Sequence, residues 1–212
     1  MTKLSLTTEI KGLYAPSARR IEIVDVPKFK FLMIDGQIEV GQNLSTSESF
    51  QEALNVLNGI SFTLKFMSKL DRENPVDYNT MPTEGIWQRP KKNDVKNRSE
   101  WKWTLMTMLP DHITEKMVES AIKSLREKRG EIPALDSIRF KPFHEGTSMQ
   151  IMHVGSTDLA SMTLERMKDF AKENGYKLRG SYHEIYISDP RHTNPDKERT
   201  IIRYPIKKKA SK

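Results

Sequence analysis

The chain has 212 residues, of which 30% are charged, and a formal net charge of +7. This length fits one domain or two small, intimately packed modules, and it is sufficient to bury a hydrophobic core. The absence of cysteine excludes disulfides and thiolate metal sites, and it fits a reducing cytoplasm. No apolar run approaches the roughly 20 residues of a membrane span, so we expect no membrane partner.

The positive charge raises the question of a nucleic-acid partner. The excess is concentrated at Arg19-Arg20, at Lys91-Lys92 and in a basic tail over residues 207–212. Such charges are typical of solvated loops and of a frayed terminus. The sequence has neither zinc-finger spacing nor an aromatic RNA-binding signature. Basic charge alone therefore does not predict nucleic-acid binding.

The first half of the chain predicts strands around one long helix. Pro27 separates the first two strands, and Ser45 with Glu48 forms a capping box for the helix, whose apolar residues recur every three or four positions. The polar stretch before Trp101 predicts a loop. The predicted elements are an arm over 1–19, strands over 20–26 and 29–34, a helix over 45–67, and strands over 80–87 and 101–109.

The second half predicts two further helices and four strands. Thr114 caps the first of these helices and Gly130 ends it, whereas Asn174-Gly175 ends the second, which begins near Thr157 and Asp158. The predicted elements are a helix over 114–130, strands over 137–143 and 147–154, a helix over 158–174, and strands over 182–187 and 200–204.

The order strand, helix, strand, strand occurs twice along the chain. It predicts an α+β fold of tandem, pseudo-twofold βαββ modules with antiparallel sheets, helices on one face and a central ligand groove on the other. We expect a single domain over 20–206, with modules over about 20–130 and 137–206. Glu84 and Glu184 occupy comparable positions, so a pseudo-twofold axis would bring both near the groove; the alternative is coincidence among 28 acidic residues.

Glu184 lies in a stretch that alternates polar and apolar residues and ends at Asp189-Pro190. Alternation in a strand places Tyr182, Glu184 and Tyr186 on one side, and His183, Ile185 and Ile187 on the other. A carboxylate between two phenols is costly to bury unless it is paired or used in a cleft. The alternative is a surface or ion-paired carboxylate, with Arg191 or Arg203 as its partner.

The aromatic residues supply candidate walls for a flat ligand. Trp103 and Trp87 could stack on an aromatic compound, and the alternative is a core cluster. Trp101 begins a strand after a polar loop and is better explained by edge packing. The histidines, His153 among them, lack the spacing of a ligand set, so neither a metal nor another cofactor is predicted.

Six stretches occur in order over nearly the whole chain and together resemble the GyrI-like small-molecule-binding family. They are Ile23-Val24-Asp25-Val26-Pro27, Leu32-Met33-Ile34-Asp35-Gly36, Pro82-Thr83-Glu84-Gly85-Ile86-Trp87, Trp101-Lys102-Trp103, Gln150-Ile151-Met152-His153-Val154-Gly155 and His183-Glu184-Ile185-Tyr186-Ile187-Ser188-Asp189-Pro190-Arg191.

The resemblance implies a groove that binds lipophilic, cationic or planar aromatic compounds, with an acidic residue at the position of Glu184. In multidrug-responsive members such a domain is fused to a helix-turn-helix DNA-binding domain. The roughly 20 residues before the first predicted strand are too few to form one, so the chain resembles the stand-alone form. Some stand-alone members hydrolyse cyclopropanoid genotoxins.

For this chain, that chemistry implies Glu184 as the base that activates water. Trp87, Trp103 and the tyrosines would clamp the ligand, and Tyr186, Tyr182 or His153 would donate a hydrogen bond to the developing oxyanion. The alternative is a non-catalytic multidrug-binding or sequestering protein in which Glu184 pairs with cationic ligands. The oligomeric state is not predicted.

Overall fold

The computed structural model describes residues 2–6, 10–88, 98–156, 160–189 and 192–209. Its strands are β1 (Thr2–Leu4), β2 (Glu22–Gln37), β3 (Val76–Tyr78), β4 (Thr83–Gln88), β5 (Lys102–Leu109), β6 (Arg139–Val154), β7 (Tyr176–Leu178), β8 (Tyr182–Tyr186) and β9 (Arg199–Lys208). Its helices are α1 (Lys11–Tyr14), α2 (Glu48–Lys69), α3 (Glu115–Arg129), α4 (Pro133–Asp136) and α5 (Ala160–Glu173), and a 3-10 turn spans Pro195–Lys197. None of the helices within these ranges combines the length and apolarity that a membrane crossing needs.

The predicted α+β class with an antiparallel sheet is confirmed, and the short strands β1 and β3 form a separate parallel pair. The elements β2, α2, β4 and β5 repeat the order of β6, α5, β8 and β9. Each series also has a short strand directly after its helix, β3 in the first and β7 in the second. The expected domain and module boundaries stay a prediction.

The first compact unit comprises Met1–Ile10, Phe29–Thr83 and Arg89–Phe143. In it β2 pairs antiparallel with β5, so that Ile34 lies opposite Leu105. Their fully buried side chains contribute to the core of this unit, together with apolar residues of α2. The apolar spacing seen in the sequence therefore describes the buried side of α2.

The second compact unit comprises Lys11–Lys28, Glu84–Gln88 and His144–Lys212. Its strand segments lie side by side in the order β6, β9, β8, β4, and every pair is antiparallel. The short strand β7 pairs with the C-terminal end of β9. Helix α5 is joined to this sheet where Thr163 hydrogen-bonds His153 of β6, at 2.9 Å.

Three predicted strand boundaries are wrong because proline or glycine did not end the strand. Strand β2 continues through Pro27, since the fixed φ of proline is compatible with extended backbone. Strand β6 joins the two strands predicted over 137–143 and 147–154, with Gly146 inside it at φ 70°. Strand β9 continues beyond Pro205 and pairs Lys207 and Lys208 with β7, so this part of the basic tail is ordered in a sheet.

The capping box predicted at Ser45 is also wrong, because Asn43 uses the preceding turn. The Asn43 Oδ1 atom accepts hydrogen bonds from the backbone N–H groups of Ser45 and Thr46, at 2.9 and 3.2 Å. The N-cap is Ser47, whose hydroxyl accepts from the N–H of Phe50 at 3.3 Å.

The residues predicted to cap or end the later helices lie at those helix ends in the structure, where it describes them. Thr114 is the N-cap of α3, and Gly130 follows its last turn with φ 82°. Gly175, at φ 74°, follows the end of α5. The predicted start near Thr157 and Asp158 lies outside the described residues.

Candidate functional site

Two opposite faces of the sheet in the second unit carry different chemistry. Strand pairing places Gly85 beside Glu184, Trp87 beside Tyr182, and Thr200 between Tyr186 and His153. Because directly paired residues project to the same side of a sheet, these residues define one face, which we call the aromatic face. Five predicted site residues lie on it: Trp87, His153, Tyr182, Glu184 and Tyr186.

A hydrogen-bonded row crosses the aromatic face from strand β4 to strand β8. The indole N–H of Trp87 donates to the hydroxyl oxygen of Tyr186 at 3.1 Å. The Tyr186 hydroxyl donates to Oε2 of Glu184 at 3.0 Å. Glu184 and Trp87 are fully buried, whereas Tyr186 is half-buried. The row therefore connects a buried carboxylate to a phenol that reaches towards the surface.

Gly85 makes room for this row. A Cβ atom at Gly85 would lie 2.9 Å from Nε1 of Trp87 and 3.0 Å from the hydroxyl of Tyr186. Both distances are shorter than carbon contacts normally allow, so a side chain here would push the two polar groups apart. The glycine that neighbours Glu184 on β4 is thus part of the geometry of the site.

Tyr182 and His153 lie at the edges of the aromatic face. Tyr182 is buried, with its ring centroid 6.3 Å from that of Tyr204. The His153 Nε2 atom lies 3.0 Å from the carbonyl oxygen of Ser156, which only accepts, so Nε2 donates. The Nδ1 atom then accepts from Thr163 in the neutral ring. Both ring nitrogens of His153 therefore have partners within the protein.

Trp103 lies in the first compact unit, where it packs against helix α2. Its ring meets that of Phe50 edge to face, with centroids 5.5 Å apart. Gly36 lies beneath the indole, since a Cβ there would come within 2.2 Å of the ring. Trp103 therefore packs in the core of the first unit, between helix α2 and Gly36.

Glu84 does not share a face with Glu184, contrary to the expectation from the repeated element order. Glu84 pairs with Ile185, the neighbour of Glu184, and so projects to the opposite side of the sheet. Arg203 pairs with His183 and projects to that side too, which makes it an unsuitable partner for Glu184. The other proposed partner, Arg191, lies outside the described residues, as do Lys91-Lys92 and residues 210–212 of the basic tail.

The side that carries Glu84 holds a cluster of buried charges, which we call the ionic cluster. At its centre, Nδ1 of His183 lies 3.1 Å from Oε2 of Glu145, and Nε2 lies 2.9 Å from Oε2 of Glu84. The second contact is an ion pair and not a well-aligned hydrogen bond. Arg203 adds a 3.3 Å ion pair to Glu145. Two carboxylates, an imidazolium and a guanidinium thus neutralise one another.

The ionic cluster also holds helix α1 against the sheet. The hydroxyl of Tyr14 donates to Oε1 of Glu84 at 2.6 Å. Arg203 donates to the carbonyl of Leu13, and Gln150 donates to that of Gly12, each at 2.7 Å. These last carbonyls of a short helix need partners, which the two side chains supply.

Burial and charge act in opposite directions on the cluster. Burial alone would lower the pKa of His183, but the carboxylates of Glu145 and Glu84 raise the pKa to about 9. Burial would raise the pKa of Glu145, but His183 and Arg203 hold that pKa below its ordinary value. Burial, followed by the charge of Glu84, raises the pKa of Tyr14. The Glu145 carboxylate and the His183 imidazolium are therefore charged together near neutral pH.

The sequence alone does not predict Tyr14 and Glu145 as members of this cluster. A usable signal was His183 on the otherwise aliphatic side of its strand, since a buried imidazole requires polar partners. Glu145 was harder to find because Gly146 interrupts the alternation of β6. Within the described residues, no group of three or more histidine, aspartate or glutamate side chains is arranged to hold a metal ion.

Comparisons with known proteins agree with this architecture. A model described as the GyrI-like small molecule binding domain matches residues 19–207. Two Listeria innocua structures described as hydrolases are 34% and 32% identical, with TM-scores of 0.86 and 0.83; they cover 97% and 96% of this chain and 100% of their own. A Listeria innocua protein described as uncharacterized and conserved is 33% identical, with TM-score 0.86, covering 96% of this chain and 100% of its own. No curated protein matches the chain significantly.

Proposed function

Because the chain belongs to the GyrI-like small-molecule-binding family, we propose that it binds planar lipophilic xenobiotics and hydrolyses strained electrophiles such as cyclopropanoid genotoxins. The observation that carries this proposal is the row from Trp87 through Tyr186 to Glu184 on the aromatic face. It combines a base, a proton donor and aromatic surface within one sheet.

Glu184 is the group that activates water. Its carboxylate takes a proton from a water molecule, whose oxygen forms a bond to a cyclopropane carbon while a ring carbon–carbon bond breaks. The released electron pair moves into the conjugated carbonyl of the substrate. A positioned base of this kind contributes about 10² to 10⁴ in rate.

Tyr186 is the group that stabilises the charge on that carbonyl oxygen. Its hydroxyl proton is transferred to the oxygen as the ring opens, and the protonated Glu184, at 3.0 Å, returns a proton to the phenolate. The net reaction is the addition of one water molecule to the substrate. The indole N–H of Trp87 supports the phenolate, because it already donates to the same oxygen.

Aromatic side chains supply the binding energy for a flat substrate. Trp87 and Tyr182 are directly paired across β4 and β8, and Tyr186 lies two residues beyond Glu184 on the same face. Rings in this arrangement favour planar apolar compounds, and holding the substrate against the carboxylate lowers the entropic cost of reaction. The hydrolase description of two relatives at 34% and 32% identity supports the same reaction class.

A second candidate function is binding without turnover. A buried carboxylate framed by phenol and indole rings attracts a cationic ligand through charge and cation–π interaction. In that case Glu184 pairs with the cation, and the protein sequesters multidrug-type compounds. The two functions require the same residues and differ in whether product forms.

The test is to incubate the protein with a cyclopropanoid and measure the ring-opened product by mass spectrometry. We expect Glu184→Gln to lower kcat by at least about 100-fold while the ligand still quenches tryptophan fluorescence. Glutamine has nearly the same shape and keeps an oxygen that accepts from Tyr186, so the variant removes the base and little else.

Glu173→Gln is the matched control, since Glu173 is an exposed carboxylate of helix α5. It should turn over substrate like the wild type. Turnover that survives undiminished in Glu184→Gln would overturn the general-base role. Stoichiometric quenching by planar cations, with no product from the wild-type protein, would establish the binding function in place of hydrolysis.

A further inference from the structure

Helix α2 presents an apolar stripe to solvent on the side away from its buried core. Phe62 and Phe66 are 53% and 54% exposed, and Leu70, the residue that caps the helix, is 73% exposed. Residues four apart are one turn apart, so the three side chains follow one line about 12 Å long. Large apolar residues aligned in this way mark interaction surfaces more often than isolated ones do.

An exposed charge lies beyond each end of this stripe, Glu73 with Arg72 beside it at one end and Arg129 at the other. Beyond Leu70, Asp71 accepts hydrogen bonds from the N–H groups of Glu73 and Asn74, at 2.9 and 2.7 Å, and so fixes the position of the exposed Glu73. At the other end, a guanidinium nitrogen of Arg129, from helix α3, would lie 3.7 Å from a Cβ atom on Gly59. Arg129 is exposed as well.

We propose that the stripe Phe62, Phe66 and Leu70 binds the same stripe of a second copy of this chain, with the two α2 helices antiparallel. Phe66 then lies at the twofold axis, and Phe62 of each copy meets Leu70 of the other. Glu73 follows the C-terminal end of α2, and Gly59, beside Arg129, lies on the N-terminal side of Phe66. The pairing therefore brings Glu73 of each copy opposite Arg129 of the other.

The self-complementary charge order is what selects a second copy as the occupant. An isologous interface requires that each patch carry both members of every pair, and this surface has Glu73 beyond one end of its apolar centre and Arg129 beyond the other. A parallel arrangement would place like charges together, which is unfavourable.

The size of the stripe predicts the strength of the dimer. Phenylalanine and leucine side chains exposed to this extent contribute roughly 100 Å² each, so the two stripes bury roughly 600 Å² of apolar surface between them. Even with flanking polar atoms, this falls below the roughly 1,200–2,000 Å² of stable interfaces. We therefore expect a dimer that dissociates on dilution.

Sedimentation equilibrium over micromolar to near-millimolar protein tests the proposal. Phe66→Glu places two carboxylates at the axis and should raise the dimer Kd by at least about 30-fold. Met162→Glu is the matched control, because Met162 is 76% exposed on helix α5 and lies off the stripe. Glu73→Arg and Arg129→Glu should each weaken the dimer, and the double variant should restore it.

Single cysteines provide a second measurement, because the chain contains none. Phe66→Cys should form a disulfide-linked dimer on oxidation, since a residue at the axis meets its own copy, whereas Met162→Cys should not. A protein that stays monomeric throughout, or a dimer that is indifferent to Phe66→Glu, would overturn the proposal and assign the stripe to another occupant. Equal crosslinking of both cysteines would overturn the pairing.

Discussion

At the scale of single residues, His183 and Glu184 are neighbours in sequence that serve opposite faces of one strand. The imidazolium of His183 is locked between Glu84 and Glu145, whereas the carboxylate of Glu184 accepts from Tyr186. Strand alternation predicts this separation from sequence alone. The partners could not be predicted, because Glu145 and Glu84 reach His183 only through the pairing of distant strands.

Gly85 provides a residue-scale test of the row on the aromatic face. Gly85→Ala places a Cβ at 2.9 Å from the indole nitrogen of Trp87 and 3.0 Å from the hydroxyl of Tyr186. We expect the Trp87 to Tyr186 hydrogen bond to break, with a loss of about 1–3 kcal/mol in the free energy of unfolding from overpacking. Urea unfolding measures the loss, and ligand-induced tryptophan quenching measures the damage to the site.

Gly12→Ala is the matched control for Gly85→Ala. A Cβ at Gly12 meets no heavy atom within 4 Å, and the residue lies inside helix α1. Alanine there should leave stability unchanged or raise it, because alanine favours a helix over glycine. If both alanine variants behaved alike, the close contacts around Gly85 would not constrain the site.

At the scale of elements, the start of helix α2 distinguishes two serines that look equivalent in sequence. Ser47→Ala removes the hydroxyl that accepts from the N–H of Phe50, and we expect a loss of about 1 kcal/mol in the free energy of unfolding. Ser45→Ala is the control, because its exposed hydroxyl bonds only the side chain of Asn43. Equal losses in the two variants, measured by urea unfolding, would contradict the assignment of Ser47 as the cap.

The elements themselves were largely predictable, and the errors have physical causes. Helix α2 followed from its apolar spacing, and helix α3 followed from its apolar spacing and its Thr114 cap, because these signals are local. The strand ends predicted at Pro27 and Pro205 are wrong, because proline disrupts a strand only where its missing N–H would be needed. The short strands β3 and β7 lack periodicity, and only their partners define them.

At the scale of the whole molecule, the ionic cluster ties together elements that are far apart in sequence. Tyr14 of α1, Glu84 of β4, Glu145 of β6, His183 of β8 and Arg203 of β9 meet in one buried network. Removing one partner from such a network leaves an uncompensated buried charge, which is strongly destabilising. The protonation of His183 should therefore set how the stability of the folded chain depends on pH.

In the folded protein, Glu145 and Glu84 raise the pKa of His183 from its ordinary value of 6.5 to about 9, although burial acts in the opposite direction. Folding therefore favours the protonated ring. The stabilisation of the folded state by the protonated ring is complete below pH 6.5 and is lost as the pH rises through about 9. The loss is of the order of 3 kcal/mol in the free energy of unfolding, measurable by urea unfolding at about pH 6 and pH 9.5.

His183→Gln supplies the comparison, because glutamine does not titrate. The variant should be less stable than the wild type at pH 6, since Glu84 and Glu145 lose their shared cation. Its stability should also change much less between the two pH values. A variant that kept the wild-type slope over this window would show that another group, and not the ring between the two carboxylates, carries the alkaline loss.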